Sequence, residues 1–141
     1  MGDTEVLRSP ADTLYHWHTV LIVDDDAQTL AALRRLLDRE PYDVVTTDRP
    51  RLALDWMDHK NISLAISDQR MPEMEGDLLL EGVWKKSPRT ARLLLTGFPE
   101  AVDRIPRSRR VLMSVMAKPW NDDLLKRVIR RLLRDQEASM D

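Results

Sequence analysis

The sequence predicts an α/β fold, a three-layer sandwich in which helices cover both faces of a parallel five-stranded sheet. Three observations carry this. Five short apolar runs recur from Thr19 onward, segments with helical spacing separate them, and four of the runs end at an aspartate, a threonine or a lysine. Strands joined through helices pair in parallel by right-handed crossovers. Ligands of such sheets bind beyond the carboxyl ends of the strands, near the point where strand order reverses.

Val20-Leu21-Ile22-Val23 reads as a buried strand that stops at Asp24-Asp25-Asp26. After Ala27, Leu30, Leu33, Leu36 and Leu37 recur at helical spacing, and Pro41 ends the pattern. A modest strand spans 43–47, and Pro50 opens a helix carrying Leu52, Leu54, Trp56 and Met57. The third strand is expected over 62–66 and runs into Ser67-Asp68; a loop with Pro72 and Gly76 then leads to a helix through Leu78, Leu79, Val83 and Trp84. The fourth strand, 91–95, ends at Thr96-Gly97, and the fifth, 112–117, ends at Lys118-Pro119-Trp120. The last helix has Leu124, Leu125, Val128, Ile129, Leu132 and Leu133 on one stripe, with Lys126, Arg127, Arg130, Arg131 and Arg134 opposite and Asn121 as its cap.

Composition narrows the function. The 141 residues suit one domain, expected over 19–135 between an N-terminal extension (1–18) and a C-terminal tail (136–141). With 22 basic against 24 acidic residues, the net charge of -2 creates no field that calls for nucleic acid or an anionic membrane. The absence of cysteine excludes disulfides, thiolate metal sites and a thiol nucleophile, and makes the cytoplasm the expected compartment. Residues 1–18 carry Asp3, Glu5, Arg8 and Asp12 without a long apolar stretch, so a signal peptide or membrane span is not expected there. His16 and His18 flank Trp17, but two imidazoles without a third ligand do not make a metal site. The tryptophans at 17, 56, 84 and 120 are too dispersed for a base-stacking platform.

The strand ends place Asp24-Asp25-Asp26, Asp68, Thr96 and Lys118 on one rim. Clustered carboxylates repel one another unless a cation neutralises them, and an oxygen-only set suits magnesium. A carboxylate can attack phosphorus when the charge on the transferred oxygens is balanced, here by magnesium, Lys118 and the Thr96 hydroxyl. Asp68, alone at its strand end opposite the acidic cluster and the lysine, is the best nucleophile.

These residues resemble the response-regulator receiver domains of two-component signalling over roughly residues 19–134. The most specific segment is Ser67-Asp68-Gln69-Arg70-Met71-Pro72 with Glu73-Met74-Glu75-Gly76 behind it. The resemblance implies a flavodoxin-like (βα)5 fold with strand order 2-1-3-4-5. It implies phosphoacceptance at Asp68, magnesium ligation by Asp25, Asp68 and the backbone carbonyl of Arg70, and an acidic-pocket role for Asp24, with Asp26 adjoining. It implies a switch hydroxyl at Thr96, a phosphoryl contact from Lys118 and a cis bond before Pro119. The implied partners are a histidine kinase or phosphotransfer protein, an effector domain or output protein, and a second copy in a phosphorylation-dependent homodimer. The only catalysis implied is the domain's own phosphorylation and dephosphorylation. Gln69-Arg70-Met71-Pro72, Leu94-Leu95-Thr96-Gly97-Phe98 and Lys118-Pro119-Trp120 look most like receivers coupled to cyclic-dinucleotide outputs, including HD-GYP-type phosphodiesterases.

Two features depart from the family. Val115 stands where an aromatic usually reports phosphorylation, and Pro106 interrupts the fourth helix region beside Arg104, Arg107, Arg109 and Arg110. Trp120, next to the site lysine, is an alternative relay. Two rival classes follow. An interaction module that kept the fold and lost the signal would bind partners regardless of Asp68. An aspartate-nucleophile phosphatase needs Asp-x-Asp-x-Thr after the first strand; Asp24 and Asp26 fit, but position 28 is Gln and Thr29 comes one residue late. The chain ends shortly after the last helix, which suits either a stand-alone receiver or one separated from an effector.

Overall fold

The computed structural model describes residues 18–139. The elements are β1 (Thr19–Val23), α1 (Ala27–Leu37), β2 (Asp43–Thr47), α2 (Pro50–His59), β3 (Leu64–Asp68), α3 (Gly76–Lys86), β4 (Ala91–Thr96), β5 (Met113–Ala117) and α4 (Asp122–Ala138). All neighbouring strands pair in parallel, in the order β2-β1-β3-β4-β5. The expected sandwich and strand order are therefore observed.

Alternation along each strand divides the core into two faces. Val20, Ile22, Leu64, Ile66, Leu93 and Leu95 face α1 and α4, meeting Leu33 and Leu37 from one helix and Leu125, Ile129 and Leu133 from the other. Leu21 and Val23 face the opposite side with Ala53 of α2 and Leu79 of α3, while Ala65 and Leu94 meet Leu80 and Val83. The inner strands are buried on both faces, which is why they read as apolar runs, with Arg92 of β4 as the charged exception. Register then aligns the strand ends: Val23 pairs with Ser67, Asp68 with Leu95, and Thr96 with Ala117.

Several boundaries differ from expectation for local reasons. β3 begins at Leu64 rather than residue 62; Ile62 is buried in the α2 side of the core, and Ser63 is committed to the His18 imidazole through a 2.7 Å contact to Nδ1. β5 begins at Met113 because Leu112 turns through the left-handed region with φ 55. α4 continues to Ala138, so residues 136–138, expected in a tail, form helix with Gln136 buried. His18, expected in the N-terminal extension, is buried against Ser63 and lies 3.4 Å from Glu137. His16, Trp17 and the rest of 1–17 lie outside the described residues. Asn121 does cap α4, accepting the Leu124 amide at 2.9 Å.

The β4–β5 connection holds no α-helix. It consists of two 3-10 segments, Pro99–Arg104 and Arg107–Arg109, separated at Pro106. Arg92 organises it from inside the sheet. Only 1% exposed, its guanidinium donates to the backbone carbonyls of Arg109 and Val111, and burial lowers its pKa to about 10. Arg109 in turn pairs with Glu81 and stacks its guanidinium over Trp84, tying the connection to α3. A charged residue inside an apolar strand pattern gave no hint of this role, because its partners are backbone carbonyls.

The candidate phosphoacceptor site

Asp24 leaves β1 with its amide bonded to the Thr47 carbonyl at 3.3 Å, so the sheet itself delivers its side chain to the rim. It is only 2% exposed. One carboxylate oxygen accepts the Asp26 amide at 2.9 Å, and the other accepts Lys118 Nζ at 3.2 Å. Burial pushes the Asp24 carboxyl above its ordinary value, against the opposing pull of the Asp26 amide and Lys118.

Lys118 follows β5, with its amide bonded to the Thr96 carbonyl at 2.8 Å. Its ammonium also donates to Asp68 Oδ1 at 2.7 Å. Burial alone would lower the Lys118 pKa, but the hydrogen bond to Asp68 and the attraction of Asp24 and Asp68 outweigh it and hold the group charged. The Lys118-Pro119 bond is cis.

One carboxylate oxygen from each of Asp24, Asp25 and Asp68 can be chosen so that all three lie within 4.8 Å of one another. Asp25 is exposed and Asp24 buried, so the group opens to solvent on one side. An all-oxygen set of this size with an open side fits a hard divalent ion that keeps part of its hydration. Asp26, grouped with this pocket from the sequence, instead caps α1: it accepts the Gln28 amide at 2.9 Å and the Thr29 hydroxyl at 3.0 Å. The Gln28 amide and the Thr29 hydroxyl hold its carboxyl below the ordinary range.

Thr96 is buried at the end of β4, and its hydroxyl is engaged within its own turn, accepting the Phe98 amide at 2.9 Å and donating to the Phe98 carbonyl at 3.3 Å. Arg70 is exposed in the loop after Asp68, with its guanidinium 5.0 Å from the centre of the Phe98 ring. Val115 is half-buried against the Ala65, Leu80, Val83 and Leu94 cluster. Trp120 packs against the α1 and α4 side of the core, and its indole donates to Asp122 at 3.0 Å.

Sequence reasoning missed why the Asp68 loop holds its shape. A Cβ on Gly76 would lie 2.0 Å from the Asp68 carbonyl oxygen, so only glycine fits this approach of α3 to β3. The Gly76 amide donates to the Gln69 carbonyl at 2.9 Å. Gln69 and Asp77, eight positions apart, form a buried pair with no signature in periodicity.

Known proteins share this fold and family. The family model for the response regulator receiver domain matches residues 20–130. The hydrogenase transcriptional regulatory protein HoxA of Cupriavidus necator is 31% identical over 84% of this chain, and the transcriptional regulatory protein GlrR of Escherichia coli is 30% identical over 86%. The chain spans about a quarter of the length of these curated relatives, 24% and 28% respectively. Among solved structures, the signal receiver domain of an HD domain-containing protein from Pseudomonas fluorescens superimposes with a TM-score of 0.80 at 28% identity, over 87% of this chain and 91% of that one. An uncharacterized protein from Neptuniibacter caesariensis gives 0.79 at 33% identity, over 89% and 94%. With its five strands in receiver order and its rim aspartates gathered around one lysine, the chain belongs to the response regulator receiver domain family.

Proposed function

We propose that the chain is a phosphorylation-controlled switch that accepts a phosphoryl group on Asp68 from a histidine kinase or phosphotransfer protein in the cytoplasm. The observation that supports this most is the placement of Lys118 Nζ between Asp68 and Asp24, beside the three-carboxylate group. Asp24, Asp25, Asp68 and the Arg70 carbonyl would hold magnesium, which when bound offsets negative charge on the carboxylates and the incoming phosphoryl oxygens. An Asp68 oxygen forms the bond to phosphorus as the donor's N–P bond breaks, and the leaving imidazole takes up a proton. The Lys118 ammonium moves its hydrogen bond from the Asp68 carboxylate to a phosphoryl oxygen. The Thr96 hydroxyl can follow only by leaving its turn with Phe98, which links phosphorylation to the start of the β4–β5 connection.

The test is incubation with a small acyl or amidate phosphodonor and magnesium, followed by mass measurement in acid. A single phosphoryl adduct on the wild type and none on Asp68→Asn is expected; no adduct on the wild type overturns the proposal. The likeness to a receiver from an HD domain-containing protein supports an HD-type output. A second reading, a partner-binding module indifferent to phosphorylation, draws support from Val115 in place of the usual aromatic. Partner binding unchanged by Asp68→Asn or by beryllium fluoride would select it.

A further inference from the structure

We propose that Gln69 and Asp77 form a positioning clasp that fixes the backbone carbonyl of Arg70 for magnesium, and so sets the affinity of the site without touching the ion. The inference rests on the magnesium-dependent phosphoacceptance proposed above. Arg70 itself is exposed, and its guanidinium lies over Phe98, so its side chain offers the backbone little restraint. Restraint comes from the residues on either side. Met71 is buried in the core beneath α2 and α3, and Gln69 is only 3% exposed.

The Gln69 carboxamide meets Asp77 twice. Its Nε2 donates to Asp77 Oδ1 at 3.2 Å, and its Oε1 accepts the Asp77 amide at 3.0 Å. Asp77 Oδ1 also accepts the Leu78 amide at 3.0 Å, and the Gln69 carbonyl accepts the Gly76 amide at 2.9 Å. Residue 69 is thereby tied to the first turn of α3 through both its side chain and its backbone. The carbonyl at Arg70 is suspended between this clasp and the Met71 anchor. Losing a group that orients a metal ligand from behind typically costs about ten- to a hundred-fold in metal affinity.

The test is a magnesium titration followed by backbone amide NMR shifts of Gln69, Arg70 and Gly76, with Asp68 phosphorylation measured in parallel. Gln69→Met keeps the volume and removes both side-chain bonds; its apparent magnesium dissociation constant is expected to rise about ten-fold. Asp77→Asn retains an acceptor oxygen and its backbone donor, and is expected to stay within about two-fold of wild type, whereas Asp77→Val, which keeps only the backbone bond to Gln69 Oε1, should weaken binding in the same direction as Gln69→Met by a smaller factor. Should Gln69→Met lose its folded spectrum, the contrast between Asp77→Asn and Asp77→Val carries the same comparison. A wild type that binds magnesium and is phosphorylated, with Gln69→Met and Asp77→Val titrating identically to it, overturns the clasp alone. A wild type that binds no magnesium overturns the clasp together with the proposed function.

Discussion

Lys118 Nζ stands 2.7 Å from Asp68 Oδ1, joining the end of β5 to the end of β3 across β4. The lysine's raised pKa gives a stabilising contribution that is fully present below the unfolded value of 10.5 and lost only as pH rises through the higher folded value. The Lys118 ammonium is therefore charged throughout the neutral range. If Asp68 accepts phosphate as proposed, Lys118→Met removes a donor positioned to meet the charge that develops on the phosphoryl oxygens, and is expected to slow Asp68 phosphorylation about a hundred-fold. Single-turnover labelling with a small phosphodonor at saturating magnesium measures this. A rate within a factor of a few of wild type would remove Lys118 from the chemistry.

Asp24 makes a different pH prediction. Burial raises its folded pKa, so the contribution of its neutral form is fully present below 3.8 and is lost as pH rises through the folded value. At neutral pH its ionised carboxylate costs the folded state, and Asp24→Asn removes that cost. In EDTA, the difference in thermal midpoint between Asp24→Asn and wild type should move in favour of the variant as pH climbs from below 3.8 to neutrality.

Metal linkage should reverse that preference. Magnesium at about one hundred times its dissociation constant should stabilise the wild type by about 2.7 kcal/mol, and chelation should abolish the gain. Asp25→Asn and Asp68→Asn each remove one carboxylate from the group of three, so the stabilisation should shrink in both. Thermal unfolding across a magnesium series checks it, and an equal response in wild type and variants would place the ion elsewhere.

The strand ends were legible because four of the five apolar runs terminate in a polar or charged residue. Asp24, Asp68, Thr96 and Lys118 could be placed on one rim from that alone, and β-sheet register brings them level. The three adjacent aspartates were less separable. Asp24 turns inward to Lys118 while Asp26 caps α1, a split decided by backbone direction after Val23. Gln69 with Asp77, and Arg92 with the Arg109 and Val111 carbonyls, are contacts between segments that share no periodicity. Pro106 signalled an interrupted helix, but not the 3-10 segments that replace it or the bonds by which Arg92 ties them to β4.

Gly76 carries a steric prediction. Because an added Cβ would meet the Asp68 carbonyl oxygen at 2.0 Å, Gly76→Ala must push α3 away from β3 or break the Gly76 amide bond to Gln69. A loss of about 3 kcal/mol in urea unfolding is expected, the upper range for forcing an extra methyl into a packed site. Asp68 phosphorylation should fall along with it.

Arg92 tests whether the β4–β5 connection is held from within. Arg92→Met keeps most of the side-chain volume but leaves the Arg109 and Val111 carbonyls without their donor. The two bonds are part-buried and Val111 is 63% exposed, so water can replace part of the lost donor; a total loss of about 1–3 kcal/mol is expected, partly offset because a charged group no longer has to be buried. The loss should be local before it is global. Hydrogen exchange in the variant should rise first at Arg110 and Met113, whose amides close the turns around the clamp at 3.1 Å each, while the inner strand β1 keeps its protection. Leu112, held at φ 55 between the clamped Val111 carbonyl and β5, would then be free to leave the left-handed region. Because the same connection begins at the turn that engages the Thr96 hydroxyl, loosening it should change how Phe98 responds to beryllium fluoride while leaving the Lys118 contact to Asp68 intact. Uniform exchange across β1 and the connection would instead make Arg92 an ordinary part of the core.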